Sequence, residues 1–334
     1  MNFWENKKVL VTGAAGFIGS NLVKKLVDEK ALVCAFVRKT DDLRFLPKKG
    51  IKIVTGDLIK KSSLIPAIKG AEIIFHLGAK TDFAGETWED YYLSNVLGTK
   101  NLVDLAVKEK IERFIFFATI RTVGLKNSRL PVDETAPYGP VNFYDRSKVE
   151  GEKIVKKAQK KHGLPITIIR PSSVYGPMDR GTYFGFFKAI ADNRFFLIGK
   201  GDNLVSFVYV GNVVGGAMLA AEKKEAIGKT YFINDERPYT MKELSETIAG
   251  AFGKTLPPFY LPKYLGYAAG FALEVAGKIF NFTPPLSRER VKNLTINYVF
   301  STEKAQKDLG YKPLTSLAEG VNFTANWYKT HGWI

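Results

Sequence analysis

Tyr144 and Lys148 lie four residues apart in Y-D-R-S-K, so a helix carries both on one side, one turn apart. A free phenol titrates near pH ~10, too high for a base at neutrality. A nearby ammonium favours the phenolate, as does the positive ring of an oxidised nicotinamide. Such a pair can take or give a hydroxyl proton while hydride moves to or from carbon. Lys148 can also hold the ribose hydroxyls of a nicotinamide nucleotide. Alone, Tyr-x-x-x-Lys is a common spacing on half-exposed helix faces. A third group is expected at the end of the apolar run in F-I-F-F-A-T-I-R-T-V-G. There Thr119 opens onto the carboxyl edge of a strand, where open parallel sheets hold ligands. Its hydroxyl can donate to a substrate oxygen. Thr122 is the second candidate, and a strand-end threonine bonded to its own backbone is the alternative.

The element that must hold the nucleotide is Val9 to Ser20, V-L-V-T-G-A-A-G-F-I-G-S, a buried strand running through a glycine turn into a helix. Gly13 permits the tight turn, Gly16 lets backbone approach a pyrophosphate, and Gly19 lets helix pack on strand. The N–H groups of Phe17 and Ile18 and the positive end of the helix then face the phosphates. Leu22, Val23 and Leu26 follow at helical spacing, the context the glycine pattern requires. Arg38 and Lys39 follow the second strand, where the adenosine ribose is met. No acid lies between Ala31 and Thr40, which favours NADP(H), with NAD(H) possible. Asp57, in T-G-D-L, can accept from the adenine amino group or be a plain turn aspartate.

Alternating apolar runs and helical patterns predict an α/β fold, a doubly wound parallel sheet of Rossmann type. Strands are expected at Val9–Thr12, Leu32–Val37, Ile51–Val54, Ile73–Leu77, Phe114–Ala118 and Ile166–Arg170. Helices are expected near 17–29, 62–69, 95–109 and 143–161. The nucleotide-binding domain is assigned to 1–170, with a return near 205–235. A smaller substrate-binding part takes 171–204 and 236–334, where Pro and Gly become frequent. The 334 residues are 46% apolar and 25% charged, an ordinary composition for a chain with a large core. One cysteine, Cys34, excludes an internal disulfide, suits a reducing compartment and reads as a buried small hydrophobe. The early first strand leaves no room for a leader, so a cytoplasmic location is expected. His76, His162 and His331 lack metal-ligand spacing, and no metal is expected. The net charge of +16 lies largely on helix faces such as Lys153–Lys161. It points to a solvated surface, or to attraction of anionic ligands or an anionic membrane. No nucleic-acid module accompanies it.

Taken together, several further segments resemble the extended short-chain dehydrogenase/reductase family, the group of nucleotide-sugar epimerases and dehydratases, dihydroflavonol reductases and 3β-hydroxysteroid dehydrogenase/isomerases. They are T-G-A-A-G-F-I-G at 12–19, G-D-L at 56–58, H-L-G-A at 76–79 and N-V-L-G-T at 95–99. Tyr144/Lys148, R-P-S-S-V-Y-G-P at 170–177, F-V-Y-V-G-N-V at 207–213 and L-G-Y-K-P at 309–313 complete the set. The resemblance implies that Leu58, Leu77 and Ala79 line the cofactor and that Asn95 braces the sheet. It places Pro171, Ser172 and Val174 at the nicotinamide end, and implies a homodimer through the helices near 95–109 and 143–161. It assigns Thr119 as the active Ser/Thr, Tyr144 as acid/base and Lys148 as ribose clamp. Nucleotide-sugar members carry Asn before V-Y-G-P, where this chain has Ser173, and an Arg-Asp pair where it has Val205-Ser206. Asn212 stands in place of the usual Asp. With the polar anchors gone, Y-D-R-S-K-V-E-G-E and L-S-R-E-R-V at 286–291 look closer to the hydroxysteroid and dihydroflavonol branch.

Leu261–Phe282 is too interrupted by Lys263, Glu274 and Lys278 to span a bilayer comfortably. It is expected either as an apolar lid over a hydrophobic substrate or as a peripheral membrane contact. The leading expectation is an NAD(P)-dependent oxidoreductase acting on a secondary alcohol or ketone of an apolar, sterol-like molecule. A nucleotide-sugar epimerase or dehydratase is the alternative, and a non-catalytic cofactor-binding protein the third.

Overall fold

Apolar strands buried on both faces need crossovers that return to the same edge, and the helices between them supply these. The computed structural model describes residues 2–81, 87–124, 130–280, 282, 284 and 286–334. Its main sheet is built from β1 (Lys8–Thr12), α1 (Phe17–Asp28), β2 (Leu32–Val37), β3 (Ile51–Thr55), α2 (Lys61–Ile68) and β4 (Ile73–His76). It continues through α3 (Gly98–Lys108), β5 (Arg113–Phe117), α4 (Phe143–His162), β6 (Ile166–Pro171) and β7 (Thr230–Ile233). The strand order is β7-β6-β5-β4-β1-β2-β3, and every pairing is parallel. This is a doubly wound Rossmann sheet. Chain order reverses between β1 and β4, where Thr12 pairs with His76, and that switch point is where such sheets hold nucleotides.

Two differences from the expected elements have physical causes. The helix expected at 95–109 begins as a π-turn, Tyr92–Leu97, before α3. Its i→i+5 turn, a device found at functional sites, carries the buried Asn95. The return segment near 205–235 supplies a seventh strand, β7, whose short T-Y-F-I run is fully buried and too brief to stand out by periodicity.

The chain divides into two compact units. The first holds residues 2–174, Val210–Asn234 and Phe300–Leu314, and the second holds Tyr175–Tyr209, Asp235–Val299 and Thr315–Ile334. The segment Phe300–Leu314 therefore packs with the first unit. Asn212 accounts for part of this, since its buried Oδ1 accepts from the Leu314 N–H at 3.1 Å. In the first unit the core fills the space between sheet and helices with Leu10, Ile74, Leu102, Phe114, Phe116 and Ile168, among others. Cys34 is half-buried rather than buried, and desolvation pushes its thiol above the usual range.

In the second unit, Tyr175, Phe187 and Tyr328 pack ring to ring, with Tyr175–Phe187 at 6.1 Å and Phe187–Tyr328 at 5.8 Å. Val205 is fully buried and pairs with Tyr239, so this position holds core where a polar anchor would be needed. The helix α5 (Lys263–Phe280) buries Gly266, Gly270 and Gly277 and leaves its large apolar residues in solvent. Asn281, within the segment expected as lid or membrane contact, lies outside the described residues. No described helix is long and apolar enough to cross a membrane.

Candidate functional site

Gly13 sits at φ +69°, and a Cβ there would come 2.7 Å from the Gly78 nitrogen. A Cβ at Gly19 would overlap the Gly13 carbonyl oxygen. Only glycine lets the loop after β1 lie against the loop after β4. Gly16 caps α1 with no side-chain bond, and no acid occupies the first turn of that helix. Its leading N–H groups lack intrahelical acceptors and meet no competing negative charge. The Ser172 hydroxyl, just past β6, is buried without a protein partner, which leaves a donor for a bound group. The cradle, the uncapped helix start and this orphaned hydroxyl fit a dinucleotide.

Below the switch point, His76 is fully enclosed. Its Nδ1 lies 2.7 Å from Thr12 Oγ1 and its Nε2 2.9 Å from Thr99 Oγ1. Burial, helped by the charge of Lys148, holds its pKa to about 3, so the imidazole is neutral and structural. Thr12 Oγ1 also accepts from the Gly78 N–H at 3.2 Å. Asn95 receives the Lys80 N–H at 2.7 Å and donates to the Lys80 carbonyl and to Ser147 Oγ. It thus ties the loop after β4 to α4, a link of loop to helix more than a brace of the sheet.

Helix α4 starts at an Asn142 cap that accepts from the Asp145 N–H. It presents Tyr144 half-buried and Lys148 buried. Gly151 brings the helix against Phe116, and the Lys148 Nζ lies 4.7 Å from the centroid of the same ring. Burial lowers the Lys148 pKa to about 8, opposed by the charge of Glu152 one turn on. Glu152 is itself paired with Arg170, Nη2 to Oε2 at 2.7 Å. Burial raises the Tyr144 phenol to about 12; the Asp145 charge adds to this, and Arg121 opposes it. At neutral pH the phenol is therefore protonated, a proton donor, and Lys148 is cationic; Lys148 is not among the charges that shift the phenol.

Arg121 and Asp145 are the residues the sequence reading missed. Arg121 Nε donates to the buried Asp145 Oδ1 at 2.6 Å, and Asp145 Oδ2 accepts from the Val141 N–H at 3.3 Å. This pair fastens the turn after β5, which Thr119 begins, to the first turn of α4, which carries Tyr144. Asp145 carried a weak signal as an acid in a helix's first turn. A partner 24 residues away carried none. Thr119 is half-buried and accepts a long 3.3 Å bond from the Arg121 N–H. Thr122 is fully buried and donates to the Thr119 carbonyl at 2.9 Å. Of the two, Thr119 keeps its hydroxyl hydrogen for a ligand.

The adenosine end is less committed. Asp57 Oδ1 accepts from the Ile59 N–H at 3.0 Å, a turn bond. Asn101 holds the Leu58 and Ile59 carbonyls at 3.0 Å, and Leu58 packs against Gly78 and Gly98. Leu77, Ala79 and Val174 are half-buried and Pro171 is buried. Arg38 is 70% exposed and paired with Asp41 at 2.9 Å, an acid one position beyond the acid-free stretch that ends at Thr40. The loop after β2 therefore holds both a cation suited to a 2′-phosphate and a carboxylate suited to a 2′-hydroxyl.

A parallel sheet with a glycine cradle at its switch point, and a helix carrying a tyrosine and a lysine one turn apart, is the arrangement of an NAD(P)-dependent enzyme of the oxidoreductase/epimerase type. The NAD dependent epimerase/dehydratase family model matches residues 9–234, and the chain belongs to that family. It is 32% identical to a 3-beta-hydroxysteroid dehydrogenase of Mycolicibacterium neoaurum, over 94% of this chain and 89% of that one. It is 28% identical to the N-acetyl-alpha-D-glucosaminyl-diphospho-ditrans,octacis-undecaprenol 4-epimerase of Escherichia coli O157:H7, over 98% and 96%. Among solved structures, UDP-glucuronic acid 4-epimerase from Bacillus cereus in complex with NAD superposes with a TM-score of 0.77 at 22% identity, covering 98% of this chain and all of that one. Nucleotide-sugar epimerases recur among the structures that share the fold.

Proposed function

We propose that the protein catalyses reversible hydride transfer at a secondary carbinol carbon, with Tyr144 exchanging the hydroxyl proton. The observation that supports this is the Arg121–Asp145 pair, which fastens the turn that Thr119 begins to the first turn of α4, where Tyr144 lies. A bound NAD(P) supplies the hydride donor or acceptor. The Tyr144 oxygen gives a proton to the carbonyl oxygen in reduction and takes it back in oxidation. Thr119 donates to the same oxygen and fixes its distance. Lys148, charged below pH about 8, holds the ribose and favours the phenolate when oxidation needs it. Its charge is lost through that pKa, so kcat/KM for reduction is expected to fall above pH about 8.

Two substrate readings share this chemistry. An apolar, sterol-like secondary alcohol or ketone agrees with the hydroxysteroid relative and with Ser173 and buried Val205, which leave a nucleotide diphosphate without its polar anchors. A sugar epimerase or dehydratase, with hydride returned within each turnover, agrees with the undecaprenol-linked sugar 4-epimerase relative and with the epimerases that share the fold. NADP(H) is the proposed preference, resting on Arg38.

The test follows reduced nicotinamide absorbance with apolar ketones and with UDP- or dTDP-sugars. Net cofactor oxidation on ketones supports the first reading; sugar conversion without net turnover supports the second. Tyr144→Phe should lower either rate by about 10²–10⁴-fold while leaving cofactor binding intact, and an unchanged rate would refute the mechanism. Arg38→Ala should weaken NADP(H) far more than NAD(H); equal losses remove the preference.

A further inference from the structure

Helix α5 is apolar on the side that faces solvent. Its buried positions are Gly266, Gly270 and Gly277, and these let its backbone approach its neighbours closely. A Cβ at Gly270 would come 2.9 Å from the Arg288 nitrogen, and one at Gly277 2.7 Å from the Phe282 carbonyl oxygen. With the three buried positions given to glycine, the large apolar side chains lie outward except Leu273, which is half-buried. Tyr264 is 71% exposed and Phe280 75%, and Phe271, Val275 and Ile279 are exposed between them. Tyr264, Phe271, Val275 and Ile279 recur at spacings of seven, four and four, a single stripe along about 22 Å of helix. Exposed Phe259 and Tyr260 extend it at the amino end. Scattered apolar residues on a surface are ordinary, whereas a continuous stripe of this length marks an interaction face.

The charges around the stripe select its occupant. Residues 254–292 carry six basic side chains and two acids. The one acid in α5, Glu274, is already held by Arg288, Nε to Oε2 at 2.8 Å. Exposed Lys263 and Lys278 stand at the two ends of the helix. Beside its amino end a cavity of about 540 Å³ is bordered by Lys200, Lys242 and Lys254, one acid, Glu246, which pairs with Lys242 at 3.8 Å, and Phe259. A second copy of the chain would bring the same positive charge to this face and be repelled. An anionic surface with an apolar interior satisfies both the stripe and its rim.

We propose that α5 lies flat in the interface of a membrane containing anionic phospholipid, its aromatic and aliphatic stripe among the upper acyl chains and its flanking lysines at headgroup phosphates. This holds whichever substrate reading is correct, because nothing in it depends on the reaction.

Flotation of the full chain with vesicles of phosphatidylcholine, with and without phosphatidylglycerol, tests it. The protein should partition at least about tenfold more strongly onto the anionic vesicles, and salt should weaken that partitioning. Phe271→Ser with Ile279→Ser should reduce partitioning at least about tenfold while NADH binding and melting temperature hold. Lys263→Glu with Lys278→Glu should erase the lipid preference. Absence of wild-type binding to anionic vesicles at low salt would overturn the proposal, as would retention by the serine variant. So would a wild-type dimer that the serine variant splits, which would make a second copy the occupant.

Discussion

Helices α1 and α5 both use glycine to bring backbone against backbone, and they do opposite things with the rest of their residues. In α1 the close approach is confined to the amino end, where Gly13, Gly16 and Gly19 fold the loop against Gly78. Past that point Leu22, Val23 and Leu26 turn inward and are fully buried. In α5 glycines run along the whole packed face, and the residues of core type are turned out. Glycine at one end of a helix makes a place for a phosphate; glycine down its flank frees an apolar face for something outside the chain.

Three substitutions sharpen or break that contrast, and a fourth, on α4, probes the buried charge of that helix. Gly19→Ala, with its Cβ forced into the Gly13 carbonyl, should cost roughly 3 kcal/mol or more and abolish cofactor binding. Near-normal NAD(P) affinity by fluorescence titration would show that the cradle is not needed. Leu22→Ala should cost about 3 kcal/mol in denaturant unfolding, the usual loss for a fully buried leucine.

Lys148→Met should raise stability by up to about 3 kcal/mol at pH 7 while removing activity. The sign follows from the folded pKa of about 8, below the ordinary 10.5. Between those values the unfolded chain binds a proton that the folded chain does not, so wild-type stability gains as pH rises. The advantage of the variant should therefore shrink from pH 8 to 10.5; a constant gap would mean that Lys148 is not buried as a charge. Last, Ile279→Ser on α5 should move stability by less than about 0.5 kcal/mol. A loss as large as that of Leu22→Ala would place this stripe in the core and refute the contrast.

The pH dependence has a structural counterpart in Asp145→Asn. The change leaves the Arg121 guanidinium without its buried charge partner and should cost about 2 kcal/mol. Because Asp145 raises the Tyr144 phenol and Arg121 lowers it, the variant should also shift the rising limb of the oxidation profile to lower pH. A profile identical to wild type would make the pair purely a fastener.

What the chain announces by itself is local. A strand running into spaced glycines, a tyrosine and lysine one turn apart, and alternating apolar runs are all short-range patterns, and each maps onto one element of the fold. The seven-stranded order, the neutrality of His76 between Thr12 and Thr99, the Arg121–Asp145 fastening and the Asp41 partner of Arg38 were not legible in this way. Each joins groups whose pairing depends on how strands stack or loops close. The same holds for α5: its apolar spacing is plain in the sequence, yet spacing is symmetric about the helix axis. Which side faces inward was fixed by the close packing that Gly266, Gly270 and Gly277 allow, a property of neighbouring backbone that no linear pattern contains.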